Sequence, residues 1–179
     1  MKRAFDLAAS AFGLLILAPV IACLVLAVRR DSSGPGIFRQ TRIGRHGVPF
    51  TCYKLRTMRI DAPNVATHHA PIDAVTPLGT FLRRWKFDEV PQLWNVLKGD
   101  MSLVGPRPCL PLQVELVDAR RRLGVDRLRP GVTGLGQVRG IDMSDPEMLA
   151  RCDRDYLDQR SFAIDLKIIF YTVIGRRMP

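Results

Sequence analysis

LAASAFGLLILAPVIACLVLAV, residues 7–28, decides the architecture. Nearly every side chain in it is apolar, Ser10 being the main exception, and Lys2-Arg3 and Arg29-Arg30 bracket the run. Its length is that of a membrane-crossing helix, roughly 20 residues. Pro19 lies inside it. An internal proline removes one helical hydrogen bond and crowds the carbonyl four residues back, so a kink or break is expected there. A break leaves arms of about 14 and 9 residues, roughly 21 and 14 Å, against a hydrocarbon core of about 30 Å. Basic residues flank both ends, and Lys and Arg concentrate on the cytoplasmic side of membranes. Residues 1–30 are therefore expected to form a re-entrant membrane helix that turns at Pro19. Residues 31–179 are expected to form one domain outside the lipid. A kinked single span stays open as an alternative. A signal peptide fits less well, because apolar sequence continues past Cys23 into Arg29-Arg30.

The 179 residues suit a single domain, and 47% hydrophobic residues suffice to bury a core. The formal net charge of +10 points to anionic partners: phosphorylated ligands, acidic lipid headgroups or nucleic acid. Cys23, Cys52, Cys109 and Cys152 are scattered, with no Cys-x-x-Cys pair. That argues against a zinc ribbon or disulfide framework and fits a reducing compartment. His68-His69 sits in a polar stretch with nothing nearby to complete a metal site.

Downstream of the apolar run, Asp31 to Gly36 reads as a linker. Ile37 to Met58 reads as strands around a Gly44-Arg45-His46-Gly47 turn. That stretch carries Arg39, Arg42, Arg45, Lys54, Arg56 and Arg59, which as a group read as a solvated basic surface beside acidic lipid. Asp61 to Pro77 reads as loop, and Phe81 to Lys86 as helix or ordered turn. Helices are expected near Leu112–Leu123 and from a capping box at Ser144-Asp145-Pro146-Glu147 to about Gln159. A last helix, Phe162 to Ile174, is apolar on one face and suits either the core or a bilayer surface. The fold class is α+β: mostly helical and compact, with a small β-hairpin region, the re-entrant helix and interfacial amphipathic helices.

The chemistry concentrates in RRWKFDEVPQLWNVLKGD, residues 83–100. Val90, Leu93, Trp94 and Leu97 recur at helical spacing, Pro91 suits a first turn and Gly99 a stop. Asp88 and Glu89 then stand at the expected start of a short helix, where unpaired N–H groups attract anions. Taken alone, Asp88 could simply be a helix N-cap. Further on, prolines on both sides of Arg107 stiffen the backbone that presents its guanidinium, a group suited to bidentate phosphate contact. Residues 129–140 hold four glycines, which let backbone approach a ligand closely, but match neither a Walker loop nor a dinucleotide fingerprint. A carboxylate can attack phosphorus and form an acyl phosphate. Two phosphate-bearing substrates would require cations and a divalent metal ion around it, and a membrane anchor implies that one substrate is a lipid.

Tyr53–Met58, Phe87–Leu93, Asn95–Pro108 and Pro130–Gly134, in this order, strongly resemble the bacterial sugar transferases called monotopic phosphoglycosyl transferases. The resemblance covers nearly the whole chain and matches the small form of the family. It implies that a UDP-sugar donates sugar 1-phosphate to a polyprenyl phosphate such as undecaprenyl phosphate. UMP leaves, and surface glycan assembly begins at the cytoplasmic face of the inner membrane. It implies Asp88 as nucleophile and Mg²⁺ ligand (Mn²⁺ as the alternative) and Glu89 as its partner. It further implies Lys54, Arg83 and Arg107 as groups that hold phosphates or the dyad, with Gln137 and Arg139 as further candidate substrate contacts. The expected partners are the donor, the acceptor and anionic membrane lipids, with no nucleic acid and with homo-oligomers left open. Two positions depart from the family pattern. Ala18 precedes Pro19 where Ser is usual, and Arg139-Gly140-Ile141 stands where Asn-Gly-Arg is frequent. The competing classes are a membrane-tethered basic module that binds lipid or nucleic acid without catalysis, and an anchored carboxylate phosphatase.

Overall fold

The structure, a computed structural model, describes residues 1–60, 62 and 74–178. The apolar run lies in helix α1, Lys2–Asp31. The expected interruption at Pro19 is absent, for the helix continues through it. A missing N–H bends a helix without having to end it when the neighbouring turns keep their bonds.

Both ends of α1 are tied to the same globular body. Near its start Lys2 Nζ donates to Asp165 Oδ2 at 2.8 Å, and Arg3 Nη2 to the Val96 carbonyl at 2.7 Å. The buried Asp6 carboxylate accepts from Ser102 Oγ at 2.8 Å. Near its end Val28 packs with Leu55 and Leu82, and Arg56 Nη2 donates to the Ser32 carbonyl at 2.6 Å. Between these anchors Phe12, Leu15, Ile16 and Val20 are exposed.

Strands β1 (Ile37–Ile43) and β2 (Pro49–Leu55) form the expected antiparallel hairpin, with Phe38 opposite Lys54. Helix α2 (Pro77–Arg84) starts ahead of the expected Phe81, because the Thr76 side chain accepts from Gly79 N and Pro77 takes the first turn. A 3₁₀ turn, Phe87–Glu89, precedes α3 (Gln92–Lys98), which stops at Gly99 with φ 96°. Much of the loop expected over 61–77, including His68-His69, lies outside the described residues.

A second sheet was not expected. Strand β3 (Ser102–Val104) pairs in parallel with β4 (Gly131–Thr133). The two chains pass so closely that a Cβ on Gly131 would fall 2.2 Å from Gly105 N. Helices α4 (Val114–Arg122), α5 (Leu135–Arg139), α6 (Pro146–Gln159) and α7 (Phe162–Val173) complete the body. Asp145, not Ser144, caps α6, accepting from Met148 N. Val104, Leu135, Tyr156 and Ile168 form one core around β3, and Leu116, Ala119 and Leu149 join α4 to α6. Helix α7 leaves Phe162, Leu166, Phe170 and Val173 exposed. Among the described residues the architecture is α+β, mainly helical with two small sheets.

Candidate active site

Four pieces of backbone converge on Asp88 and Glu89. Strand β2 delivers Lys54, α2 delivers Arg83, the 3₁₀ turn holds the two carboxylates, and the segment after β3 delivers Arg107. The carboxylates do not start α3, as the helical spacing suggested. Pro91 occupies the N-cap position of α3, so the pair sits one turn earlier, and Asp88 caps no helix. Asp88 is therefore free for other work.

Both carboxylates are buried, with 8% and 9% of their surfaces exposed. Lys54 Nζ donates to Glu89 Oε1 at 2.9 Å, and Arg107 Nη2 approaches the same oxygen at 3.5 Å. Burial alone would push Glu89 up, but the charges of Lys54 and then Arg107 outweigh it and hold its carboxyl below the usual range. Asp88 goes the other way. Burial and then the Glu89 charge raise it, against the pull of Lys54, Arg83 and Lys86. Among the described residues Asp88 forms no hydrogen bond or ion pair. Arg83 Nε donates to Thr57 Oγ1 at 2.9 Å, which fixes its guanidinium near Asp88.

Arg107 is held by its backbone as well. The carbonyl of Arg107 accepts from Arg120 Nη1 at 2.9 Å, and that of Pro108 accepts from Arg42 Nη1 at 3.0 Å. Arg120 is itself locked by Asp153, with Nε at 2.9 Å and Nη2 at 2.7 Å from Oδ2, and Arg42 by Gln40. Two buried guanidinium groups thus clamp the backbone carbonyls that carry the half-buried side chain of Arg107, adding to the stiffness of Pro106 and Pro108. Sequence reading placed Arg42 on a solvated basic surface and left Arg120 as one residue of a helix near Leu112–Leu123. Arg42 and Arg56 in that surface group are buried, and Arg120 is 7% exposed.

The dyad opens into a cavity of about 1200 Å³, lined by Lys54, Arg83, Asp88 and Arg107 and, from α1, by Val25 and Arg29. A second cavity of about 730 Å³ runs toward α7, with Val90, Leu93, Val132 and Ile169 among its apolar walls. Gln137 lines this second space, with Nε2 donating to the Val132 carbonyl at 3.3 Å. Arg139 lines neither cavity. Its guanidinium lies 3.4 Å from Asp155 Oδ2 on α6, so the structure does not bring it to the dyad. Arg176 and Arg177, which sequence reading passed over, line the second cavity instead.

Among the described residues no cluster of three or more His, Cys, Asp or Glu is found. Asp88 and Glu89 nevertheless fit a hard cation such as Mg²⁺, which takes one or two carboxylates and draws its other ligands from phosphates and water. An arrangement of this kind, a buried unpaired carboxylate facing cations in a large cavity, suits nucleophilic attack on a phosphorylated substrate.

Comparison with known proteins gives the same reading. The model of a family described as bacterial sugar transferase matches residues 1–176. The UDP-glucose:undecaprenyl-phosphate glucose-1-phosphate transferase of Caulobacter vibrioides is 44% identical over 181 residues, covering 96% of this chain and 68% of the relative. The Escherichia coli protein of the same name is 38% identical, over 97% of this chain and 39% of its own length. The undecaprenyl-phosphate galactose phosphotransferase of Salmonella typhimurium is 37% identical, over 99% of this chain and 41% of its own length. The chain thus spans about two fifths of those last two relatives. With the match running from Met1, ahead of α1, to beyond the end of α7, the chain belongs to the bacterial sugar transferase family and is an enzyme of sugar-phosphate transfer.

Proposed function

We propose that the protein transfers sugar 1-phosphate from a UDP-sugar to a polyprenyl phosphate through a covalent intermediate on Asp88. A carboxylate oxygen of Asp88 attacks the sugar-bearing phosphorus. The bond from that phosphorus to the bridging oxygen breaks, its electron pair leaves with UMP, and an acyl phosphate remains. A phosphate oxygen of the polyprenyl phosphate then attacks the same phosphorus. The acyl–phosphorus linkage breaks, the Asp88 carboxylate returns, and a polyprenyl diphosphate sugar departs.

The observation that carries this reading is the contrast within the dyad. Glu89 is engaged by Lys54 and Arg107, while Asp88 faces the cavity unpaired. Lys54, Arg83 and Arg107 serve to bind and orient phosphate oxygens and to offset the charge that collects at phosphorus. Glu89 keeps Lys54 and Arg107 in place beside Asp88. Mg²⁺ or Mn²⁺, held by Asp88 with or without Glu89, would supply further charge neutralisation to the donor diphosphate.

The apolar helix α1, exposed along its middle, supports a membrane location for this chemistry. Its two ends rest on one globular body, which supports a re-entrant anchor, and the basic residues flanking both ends support the cytoplasmic face. Val25 and Arg29 near its end line the larger cavity, which suits an acceptor whose phosphate lies at headgroup level.

The test is a screen of UDP-sugars with polyprenyl phosphate in detergent or nanodiscs, read as UMP release and lipid-linked sugar. Formation of both, abolished by EDTA, is expected. Release of inorganic phosphate in place of UMP would identify a phosphatase and overturn the reading. Full turnover in excess EDTA would remove the metal from it.

A further inference from the structure

The two cavities share four lining residues: Arg42, Lys86, Glu89 and Arg107. Three cations therefore surround Glu89 where the spaces meet. Two of them are occupied. Arg42 donates to Gln40 and to the Pro108 carbonyl, and Arg107 approaches Glu89. Lys86 is exposed, and among the described residues its ammonium forms no hydrogen bond or ion pair, its backbone bonding only to the Arg83 carbonyl and the Glu89 N–H.

Its backbone is unusual. Lys86 has φ 61° and ψ 15°, in the left-handed region, a conformation shared among described non-glycine residues only with His46. That conformation strains any residue with a Cβ and is free of strain for glycine. The strained turn leads straight into Phe87–Glu89, so the ammonium and both carboxylates hang from one tight loop. The charge of Lys86 is felt at both Asp88 and Glu89. Strain of this sort accumulates where a side chain must be presented in one direction. Lys86 stands one residue past the Trp85 C-cap of α2, where a left-handed residue commonly ends a helix, but glycine or asparagine is the usual residue there.

Resting on the transferase reading above, we propose that Lys86 is a catalytic contact. Its ammonium binds the diphosphate of the nucleotide donor where the cavities meet, and screens the charge that grows on the departing nucleoside monophosphate. As the Asp88 oxygen bonds to phosphorus, the electron pair of the breaking phosphorus–oxygen bond moves onto the bridging oxygen. Lys86 stabilises that oxygen electrostatically and keeps its own proton, so the monophosphate leaves as an anion. A mobile point charge suits a group that must follow an oxygen through bond cleavage.

Three variants separate charge from backbone. Lys86→Arg keeps the charge, Lys86→Met keeps the length and the strain, and Lys86→Gly removes the charge and relieves the strain. The probes are UDP binding, the first burst of UMP release from UDP-glucose, and the melting temperature. Lys86→Met and Lys86→Gly should bind UDP about tenfold more weakly. Both should also release UMP roughly a hundredfold more slowly. Lys86→Arg should recover most of both, and Lys86→Gly should melt no lower than the parent chain. Wild-type UDP affinity and burst rate in Lys86→Gly would overturn the proposal. So would a loss confined to transfer from the covalent adduct to polyprenyl phosphate, which would assign Lys86 to the acceptor. A parent chain that binds UDP through Lys86 but transfers no sugar phosphate would sink the transferase reading, while Lys86 would stand as a diphosphate contact.

Discussion

Glu89 collects Lys54 and Arg107 on one oxygen, and Asp88 next to it is left with burial and a neighbouring negative charge. The two carboxylates therefore shift in opposite directions, which is how adjacent acids acquire separate tasks. A raised Asp88 is a stability cost to the metal-free protein wherever that carboxyl is ionised. Asp88→Asn should then melt higher than the parent chain near neutral pH in EDTA. As pH falls through the raised Asp88 value, the parent takes up a proton and the cost disappears, so the difference should shrink. The same variant should lose about a thousandfold or more in turnover. Calorimetry across pH and a UMP-release assay check the two halves, and an Asn variant that melts lower at neutral pH would contradict the electrostatic account. Much of this site could be read in advance from the family resemblance, little of it from residue types alone. Lys54, Arg83 and Arg107 all reach the larger cavity with the dyad. Arg139 does not, because Gly140 ends α5 and Asp155 takes its guanidinium.

Between elements, the clamp on Arg107 is the point of leverage. Arg120 spans from α4 to Asp153 on α6 while donating to the Arg107 carbonyl. Arg120→Met leaves Asp153, 2% exposed, without its cation, at a cost of about 3 kcal/mol. Burial already raises Asp153 against the pull of Arg120, so in that variant the carboxyl should protonate more readily and the loss should ease on acidification. Arg120→Met with Asp153→Leu should regain most of the stability yet stay roughly tenfold or more below the parent in turnover, since the Arg107 carbonyl has lost its donor. Denaturant unfolding beside activity separates the two effects. Restored activity in the double variant would mean that the clamp serves folding alone. Elements of this kind differ in how visible they are in sequence. The β1–β2 hairpin and the Gly99 stop follow from local turn residues. The three-residue strands β3 and β4 pair in parallel across the chain and show no period of their own. The position of the dyad was misjudged for a related reason: helical spacing from Val90 suggested an earlier start, and Pro91 took the cap.

For the molecule as a whole, α1 serves as both anchor and packing partner. A cysteine at Lys2, in a chain lacking Cys23, Cys52, Cys109 and Cys152, should resist a membrane-impermeant thiol reagent in intact cells and react fully once the membrane is opened. Prompt labelling in intact cells would favour a full span. Composition made the apolar segment plain, but not that its ends grip opposite parts of one domain, since those contacts join residues far apart in sequence. The Lys2–Asp165 pair, separated by 163 positions, has a consequence for biogenesis. At about 5–20 residues per second, ribosomes need roughly 8–33 s to get from Lys2 to Asp165. Arg3 and Asp6 meet their partners, the Val96 carbonyl and Ser102, well before that, so the first turn is fastened in two steps. A chain released before α7 would keep the first step and lack the last, leaving the Lys2 ammonium without its Asp165 partner at the amino-terminal end of the anchor.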